Sequence, residues 1–301
     1  MLPIRKIIYV VNPISGTQKK DTLIAYVKAT TLANHIAFEI YDTNEDGNYD
    51  WLADKIVAEP ITDVVIIGGD GTINSVIASL HVYKINFGII PSGSGNGLAY
   101  AAKIPKNYKQ ALAIILKGNA VATDAFVVNN KFACMLSGIG FDAQVAHDFA
   151  QQTSRGLVTY TKQSLLNYFK ANPYQFEVTI DDFTFFVEAF FISIANSNQF
   201  GNNFTIAPKA SLHDGLLDIV IVQKMSKLKL PFAILQQISG KNKLQQLVAD
   251  LQKNTIIYLQ SPTITITNVQ LAPIHIDGDI AATQPTINYT IVPNCFYLLL
   301  P

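Results

Sequence analysis

The sequence predicts an α/β plus β protein of two domains, residues 1–120 and 121–301, and three observations predict it. Strand-like and helix-like runs alternate over the first 120 residues. Strand-like runs dominate after that point. Three glycine-rich turns in the first part each follow a predicted strand. The first pattern is that of βαβ units around a parallel sheet, and the second that of an antiparallel β domain with a few helices.

The elements follow in order. Residues 7–11 form a short β-rich apolar run, stopped at once by Asn12 and Pro13. Helical spacing over 21–32 is followed by a strand at 38–41 and a helix at 50–58. Residues 63–67 read as a buried strand ending in glycines, 72–80 as a helix, and 87–90 as a strand ending at Pro91. Beyond the boundary, strands are predicted at 122–128, 176–180, 185–194, 216–222, 255–259, 263–267 and 286–292. Residues 263–267 alternate threonine and isoleucine, the period-two pattern of a strand with one solvated face. Helices are predicted at 157–169 and 228–238, and the extreme C-terminus is expected to return to the first domain.

Composition narrows the classes. The chain is 49% hydrophobic and 15% charged, enough apolar material for two cores and unlike a disordered chain. Lysine plus arginine equals aspartate plus glutamate at 22 each, so net charge offers nothing to nucleic acid. Cys134 and Cys295 form no CxxC pair and read as two idle thiols in a reducing, cytoplasmic compartment. The apolar run near the N-terminus is too short for a signal peptide, and no stretch approaches the roughly 18–20 apolar residues of a spanning helix.

The three turns carry the chemistry. All three follow parallel strands, which puts them at the carboxyl edge of one sheet, where open α/β sheets bind ligands. The first is Asn12, Pro13, Ile14, Ser15 and Gly16. Its glycine can aim successive amides at one point, Ser15 adds a hydroxyl, and the next helix adds a positive end. The second is Gly68, Gly69, Asp70, Gly71 and Thr72, followed by Ile73 and Asn74. Three glycines around one aspartate suggest close approach of a nucleotide polyphosphate, with Asp70 managing magnesium or its waters and Thr72 capping the helix. The third runs from Pro91 to Gly97 and includes Ser94. The chain lacks both GxxxxGK[ST] and a GxGxxG after its first strand, so its phosphate site is of another kind. Two acidic turns mark the second part, one at Asp214-Gly215-Leu216 and one at Asp277-Gly278-Asp279. A kinase acting on an alcohol gains from such a carboxylate as proton acceptor.

Residues 12–16, 68–72 and 91–96 resemble the three N-terminal motifs of the diacylglycerol kinase and sphingosine kinase catalytic superfamily. Residues 137–142, 214–216 and 277–279 resemble its later motifs, in the same order, so the resemblance spans roughly residues 5 to 300. It implies a Rossmann-like ATP domain, a β-sandwich-like lipid domain, and an active site in the cleft between them. By motif position, Asn12, Pro13, Ile14, Ser15, Gly16, Thr43, Gly68 to Asn74 and Ser94 surround ATP. Asp214 with the backbone oxygens of Ser211 and Leu216 holds a structural magnesium, and Asp124 joins the metal–water network. Asp279 stands at the family's proton acceptor, with Asp277 beside it as a second choice and Asp70 as the third catalytic carboxylate.

Two departures are visible. Gly97 follows Asn96 where the bacterial diacylglycerol kinase form has aspartate, which leans toward sphingosine and ceramide kinases. Asp279 replaces a glutamate and is one methylene shorter. The expected activity is therefore ATP-dependent phosphorylation of a lipid hydroxyl of diacylglycerol or sphingoid type. NAD kinases share the second turn, and a nucleotide- or lipid-binding regulator descended from a kinase shares the whole pattern. Residues 224–253 hold six lysines against one acid, Asp250, with apolar residues interleaved. This predicts a basic amphipathic face for the inner surface of a membrane. The expected partners are thus ATP, a lipid at a membrane surface and, as an assembly the sequence allows, a homodimer.

Overall fold

The structure, a computed structural model, describes residues 5–16, 20–44, 47–144, 172–199, 205–245 and 255–301. The chain divides into two compact units. One comprises Met1–Asp124 with Asn294–Pro301, the other Ala125–Pro293. The predicted helix at 157–169 and part of the lysine-rich stretch lie outside the described residues.

The first unit is a parallel sheet ordered β2 (Ala37–Asp42), β1 (Lys6–Val11), β3 (Asp63–Gly68) and β4 (Asn86–Pro91). Tyr297 and Leu298, from the end of β15 (Thr286–Leu299), pair in parallel with β4. The middle strands are buried almost throughout, which explains their unbroken Ile and Val runs. Helices α1 (Lys20–Ala33), α2 (Asp50–Ala58), α3 (Asp70–Leu80), α4 (Gly97–Ala101) and α5 (Tyr108–Lys117) connect them. α1 packs against α5, with Tyr26 edge-on to Tyr108, while α2 packs against α3. The amino edge of the sheet is tied by charge. The buried Asp63 accepts from Arg5 Nε at 3.0 Å and from Asn86 Nδ2 at 3.1 Å. The Arg5 guanidinium also donates to the carbonyls of Ile115 and Leu116, the last turn of α5. Asp124 is buried, and its Oδ1 accepts from the N–H of Asn294 at 2.8 Å, pinning the returning strand.

The second unit is antiparallel. Its main path runs β14 (Asp279–Ala281), β13 (Ile274–Ile276), β7 (Leu136–Gly140), β9 (Phe183–Ala195), β8 (Tyr174–Ile180), β12 (Thr263–Asn268) and the first part of β15. β10 (Leu217–Gln223) joins β9 to β11 (Ile256–Ser261), and β5 (Ala120–Val128) pairs with β15 and β6 (Lys131–Ala133). The long β9 serves two neighbourhoods: residues 183–189 pair with β8, while residues 189–195 pair with β10. Ile, Val and Phe side chains from nearly all these strands meet in one apolar core, giving a sandwich-like unit. Helix α6 (Leu230–Ile238) lies on this unit. Among the described residues no helix is long and apolar enough to cross a membrane.

Candidate active site

The carboxyl ends of β1, β3 and β4 finish level. Asn12 N–H donates to the carbonyl of Ile67, Ser92 N–H to that of Gly68, each at 2.9 Å, and Thr43 N–H to that of Val11 at 2.8 Å. The three turns and Thr43 therefore leave the sheet along one rim.

Side chains then lock the turns together. Asn12 Nδ2 donates to Thr72 Oγ1 at 2.8 Å, and its Oδ1 accepts from the N–H of Ile14 at 3.1 Å. Ser15 Oγ and Ser92 Oγ lie 2.8 Å apart. Asn96 sits buried in a left-handed conformation and bonds Gly93 twice, accepting from its N–H and donating to its carbonyl. Two glycines are there for this packing. A Cβ on Gly16 would fall 2.0 Å from the carbonyl oxygen of Ser92, and one on Gly93 would fall 2.5 Å from Gly69 Cα.

These contacts correct three expectations. The glycines at 68 and 69 clear neighbours within the protein, the Thr72 side chain and the Gly93 backbone, rather than clearing a path for a ligand alone. Thr72 does not cap α3: the N-cap is Gly69 with no side-chain cap, and Thr72 is occupied by Asn12. Ile73 belongs to the core, and its N–H is spent on the carbonyl of Gly69 inside the helix, so it leaves the ligand set. Ile14, Gly71 and Ser94 are exposed on the rim.

Lys20, the first residue of α1, was not singled out from the sequence. Its ammonium donates to Ser15 Oγ at 2.9 Å and Ser92 Oγ at 2.7 Å. No carboxylate among the described residues pairs with it, and partial burial alone lowers its pKa. A desolvated cation held by hydroxyls at a phosphate-type turn is a ready anion seat. The signal was a lysine four residues past Gly16, but its meaning depends on Ser92.

Asp70 opens α3. The residue keeps some exposed surface, yet Oδ1 is buried and accepts no hydrogen bond. Burial raises its pKa against the opposing pull of the Gly97, Leu98 and Asn96 amides. Gly97, where the bacterial diacylglycerol kinase form has aspartate, adds no second negative charge beside the backbone amide it directs toward Asp70. An orphaned buried carboxylate oxygen fits a hydrated hard cation.

In the second unit, Ile276, Asp277, Gly278 and Asp279 form the tight turn of the β13–β14 hairpin, with Ile276 paired to Asp279 and positive φ at both central residues. The two aspartates have separate fates. Asp277 is buried, and its carboxylate accepts from the N–H groups of Cys134 (2.9 Å), Met135 (3.0 Å) and Leu136 (2.8 Å). That use removes Asp277 as a second proton acceptor and makes it the clamp of the hairpin. Asp279 is exposed, with a carboxyl pKa raised by partial desolvation and pulled back by the nearby His275. His275 Nε2 lies 3.5 Å from Asp142 Oδ2, in space kept open by Gly138, whose Cβ would strike both side chains. Sequence reasoning placed Asp142 in a motif but overlooked His275, which stands only two residues before Asp277.

The proposed metal ligands fall into the two units. Asp124 is in the first, where it holds Asn294. Ser211, Asp214 and Leu216 share a loop of the second, where Asp214 Oδ1 accepts from Leu216 N–H at 3.1 Å and Gly215 takes φ +69°. Among the described residues no three His, Cys, Asp or Glu side chains gather as a metal cluster. The loop therefore offers one carboxylate plus carbonyls, a weak set for magnesium.

Comparison with known proteins gives matches along both halves of the chain. Residues 6–128 match the diacylglycerol kinase catalytic domain, and residues 136–300 match the YegS C-terminal NAD kinase beta sandwich-like domain. A "Probable lipid kinase YegS-like" of Shewanella frigidimarina (strain NCIMB 400) is 25% identical over 254 residues, covering 82% of this chain and 79% of the relative. A protein of the same description from Chromohalobacter salexigens is 26% identical over 257 residues, covering 82% and 78%. The crystal structure of a diacylglycerol kinase from Bacillus anthracis str. Sterne superposes with a TM-score of 0.75 at 19% identity over 98% of this chain and 97% of that one, a likeness of fold. With both halves matched in order, the chain belongs to the diacylglycerol kinase catalytic family, in the form that carries the YegS-type sandwich domain.

Proposed function

We propose that the protein is an ATP-dependent lipid kinase, transferring the γ-phosphoryl group of ATP to the hydroxyl of a diacylglycerol- or sphingoid-type lipid. The observation that carries this reading is the meeting of the three turns on one rim, with Lys20 and the buried Asp70 oxygen among them. In phosphoryl transfer the protein supplies position and charge stabilisation more than covalent chemistry. The Ser15 and Ser92 hydroxyls and the Lys20 ammonium hold phosphate oxygens. Thr43 and Ser94 line the nucleotide from the rim, and Asn74 reaches it from α3.

Magnesium, when bound with the nucleotide, neutralises phosphate charge. Asp70 Oδ1, buried and without a hydrogen-bond donor, would hold the ion or one of its waters. Asp279 accepts the proton of the lipid hydroxyl, and its raised pKa makes it a better base than an ordinary aspartate. Asp277 fixes where Asp279 stands. Asp214 stiffens its own loop by accepting from the Leu216 N–H, and Asp124 acts through the strand it pins.

The names of the relatives support a lipid acceptor over a dinucleotide. Purified protein given γ-labelled ATP with a fractionated lipid extract, or with NAD, tests the choice. Label in an organic-phase phospholipid is the expected result. Label in NADP, or ATP binding with no transfer to any acceptor, overturns it in favour of an NAD kinase or a non-catalytic relative.

A further inference from the structure

α6 and the turn before it are apolar on two opposite sides. Leu230, Ala233 and Gln237 face inward and are buried, with Gln237 satisfied by the carbonyl of Ile206 at 2.8 Å. That side anchors the helix. The opposite side carries Leu228, Phe232 and Leu235, which are 84%, 69% and 62% exposed. Their spacing of four and three residues puts them within about 60° of arc on a helix of 3.6 residues per turn. Leu228 joins this row because the N–H groups of Lys229 and Leu230 both return to the carbonyl of Ser226, so the helical winding starts before the helix proper.

Lys227 and Lys229 fall roughly 100° to either side of the apolar row. Lys224 stands just before them, held by Glu188 at 2.8 Å. Residues 224–245 contain five lysines and no acid, in a chain whose charges balance overall. Three large apolar side chains left uncovered among the described residues, flanked by long cationic ones, have the shape of an interfacial anchor. The apolar tips enter the acyl boundary, and the lysines reach back to lipid phosphates.

We propose that the outward face of Leu228, Phe232 and Leu235, with Lys227 and Lys229, docks on an anionic phospholipid bilayer. The charge selects this occupant: a second copy of the face would bring lysines against lysines. The proposal deepens the lipid-kinase reading, on which it rests for its purpose, by naming the surface from which the acceptor is taken.

The test is pelleting of the full chain with phosphatidylcholine vesicles, with and without about one-third phosphatidylserine, at low and high salt. Binding is expected to need phosphatidylserine and to weaken with salt. Phe232→Ser with Leu235→Ser, and separately Lys227→Gln with Lys229→Gln, should each lower partitioning about tenfold or more while leaving the thermal melt unchanged. Equal pelleting without phosphatidylserine, salt-insensitive binding, or binding untouched by both pairs would overturn the proposal. So would a lipid-free dimer that the Phe232 and Leu235 changes dissociate. Transfer to lipid in detergent micelles separates the two claims. The docking variants should keep micellar turnover and lose it on vesicles. A wild-type protein that transfers nothing in micelles sinks the kinase reading and leaves docking to be judged by pelleting.

Discussion

Asp277 and Asp279 are separated by one glycine, and their roles can be split by experiment. Asp277→Ala removes the acceptor of three buried amides, those of Cys134, Met135 and Leu136. Each orphaned buried donor costs about 1–3 kcal/mol. An alanine at φ +50° adds roughly 1–2 kcal/mol of backbone strain. Water entering beside the exposed Gly278 relieves part of this, so the expected loss is about 3–6 kcal/mol, a large share of a domain's stability. Asp277→Asn is milder. Asparagine tolerates the left-handed backbone and keeps one oxygen for Met135 and Leu136, but it turns an amide group toward the Cys134 N–H. That change should cost about 2–3 kcal/mol. Urea unfolding followed by circular dichroism reads both values as a shift in midpoint at constant slope. The folded Asn variant should keep turnover within about tenfold of wild type, because two of three clamp bonds remain. An Asp277→Asn protein with an unchanged urea midpoint and turnover reduced by orders of magnitude would refute the assignment and return the proton-acceptor role to Asp277.

The other predictions follow from the first unit and from charge. Lys20→Ala should raise the KM for ATP about tenfold or more with a smaller effect on kcat, since a charge-assisted phosphate contact is lost; steady-state kinetics decide it. Gly16→Ala should abolish nucleotide binding in a folded protein, because its Cβ would overlap the Ser92 carbonyl; calorimetric titration with ATP gives the answer. Asp63→Ala should destabilise the first unit by about 3–5 kcal/mol by leaving Arg5 without its carboxylate, seen as a lower thermal midpoint. The pH profile should be narrower than ordinary side chains allow. Asp279 and Asp70 have raised pKa values, so each loses its charge while pH is still above the usual 3.8, and the acid limb of kcat moves up. Lys20 is lowered from 10.5, so ATP affinity should fall earlier on the alkaline side, and Lys20→Ala should flatten that limb alone.

Much of this was legible in the chain. The alternating runs of the first unit foretell β1 to β4 and three of its helices, because each buried strand is a single apolar burst closed by glycine or proline. α5 went unread although Asn107 caps it and Gly118 ends it, with Ala111, Leu112 and Ile115 as its buried face. The last strand was expected to stop at 292 but runs to Leu299, straight through Pro293 and a left-handed Asn294, two residues that ordinarily end a strand. β13 and β14 have three residues each, too few for any periodicity to register.

At the site, the turns were legible because glycine clusters are local. The roles inside them were not. Lys20 becomes an anion seat through Ser92, 72 residues away, and Asp277 becomes a clamp through amides more than 140 residues earlier. Neither spacing leaves a mark in the sequence around it.

ATP presentation by the rim of the first unit and proton uptake by Asp279 can be measured in one reaction. Single-turnover transfer of labelled phosphate from ATP to a lipid alcohol, compared among wild type, Asp70→Asn and Asp279→Asn, measures both directly. Wild type should yield phospholipid product, and both variants should react more slowly by about two or more orders of magnitude, with ATP still bound by Asp279→Asn. Undiminished transfer by Asp279→Asn, or wild-type protein that binds ATP and phosphorylates no lipid, would contradict these roles.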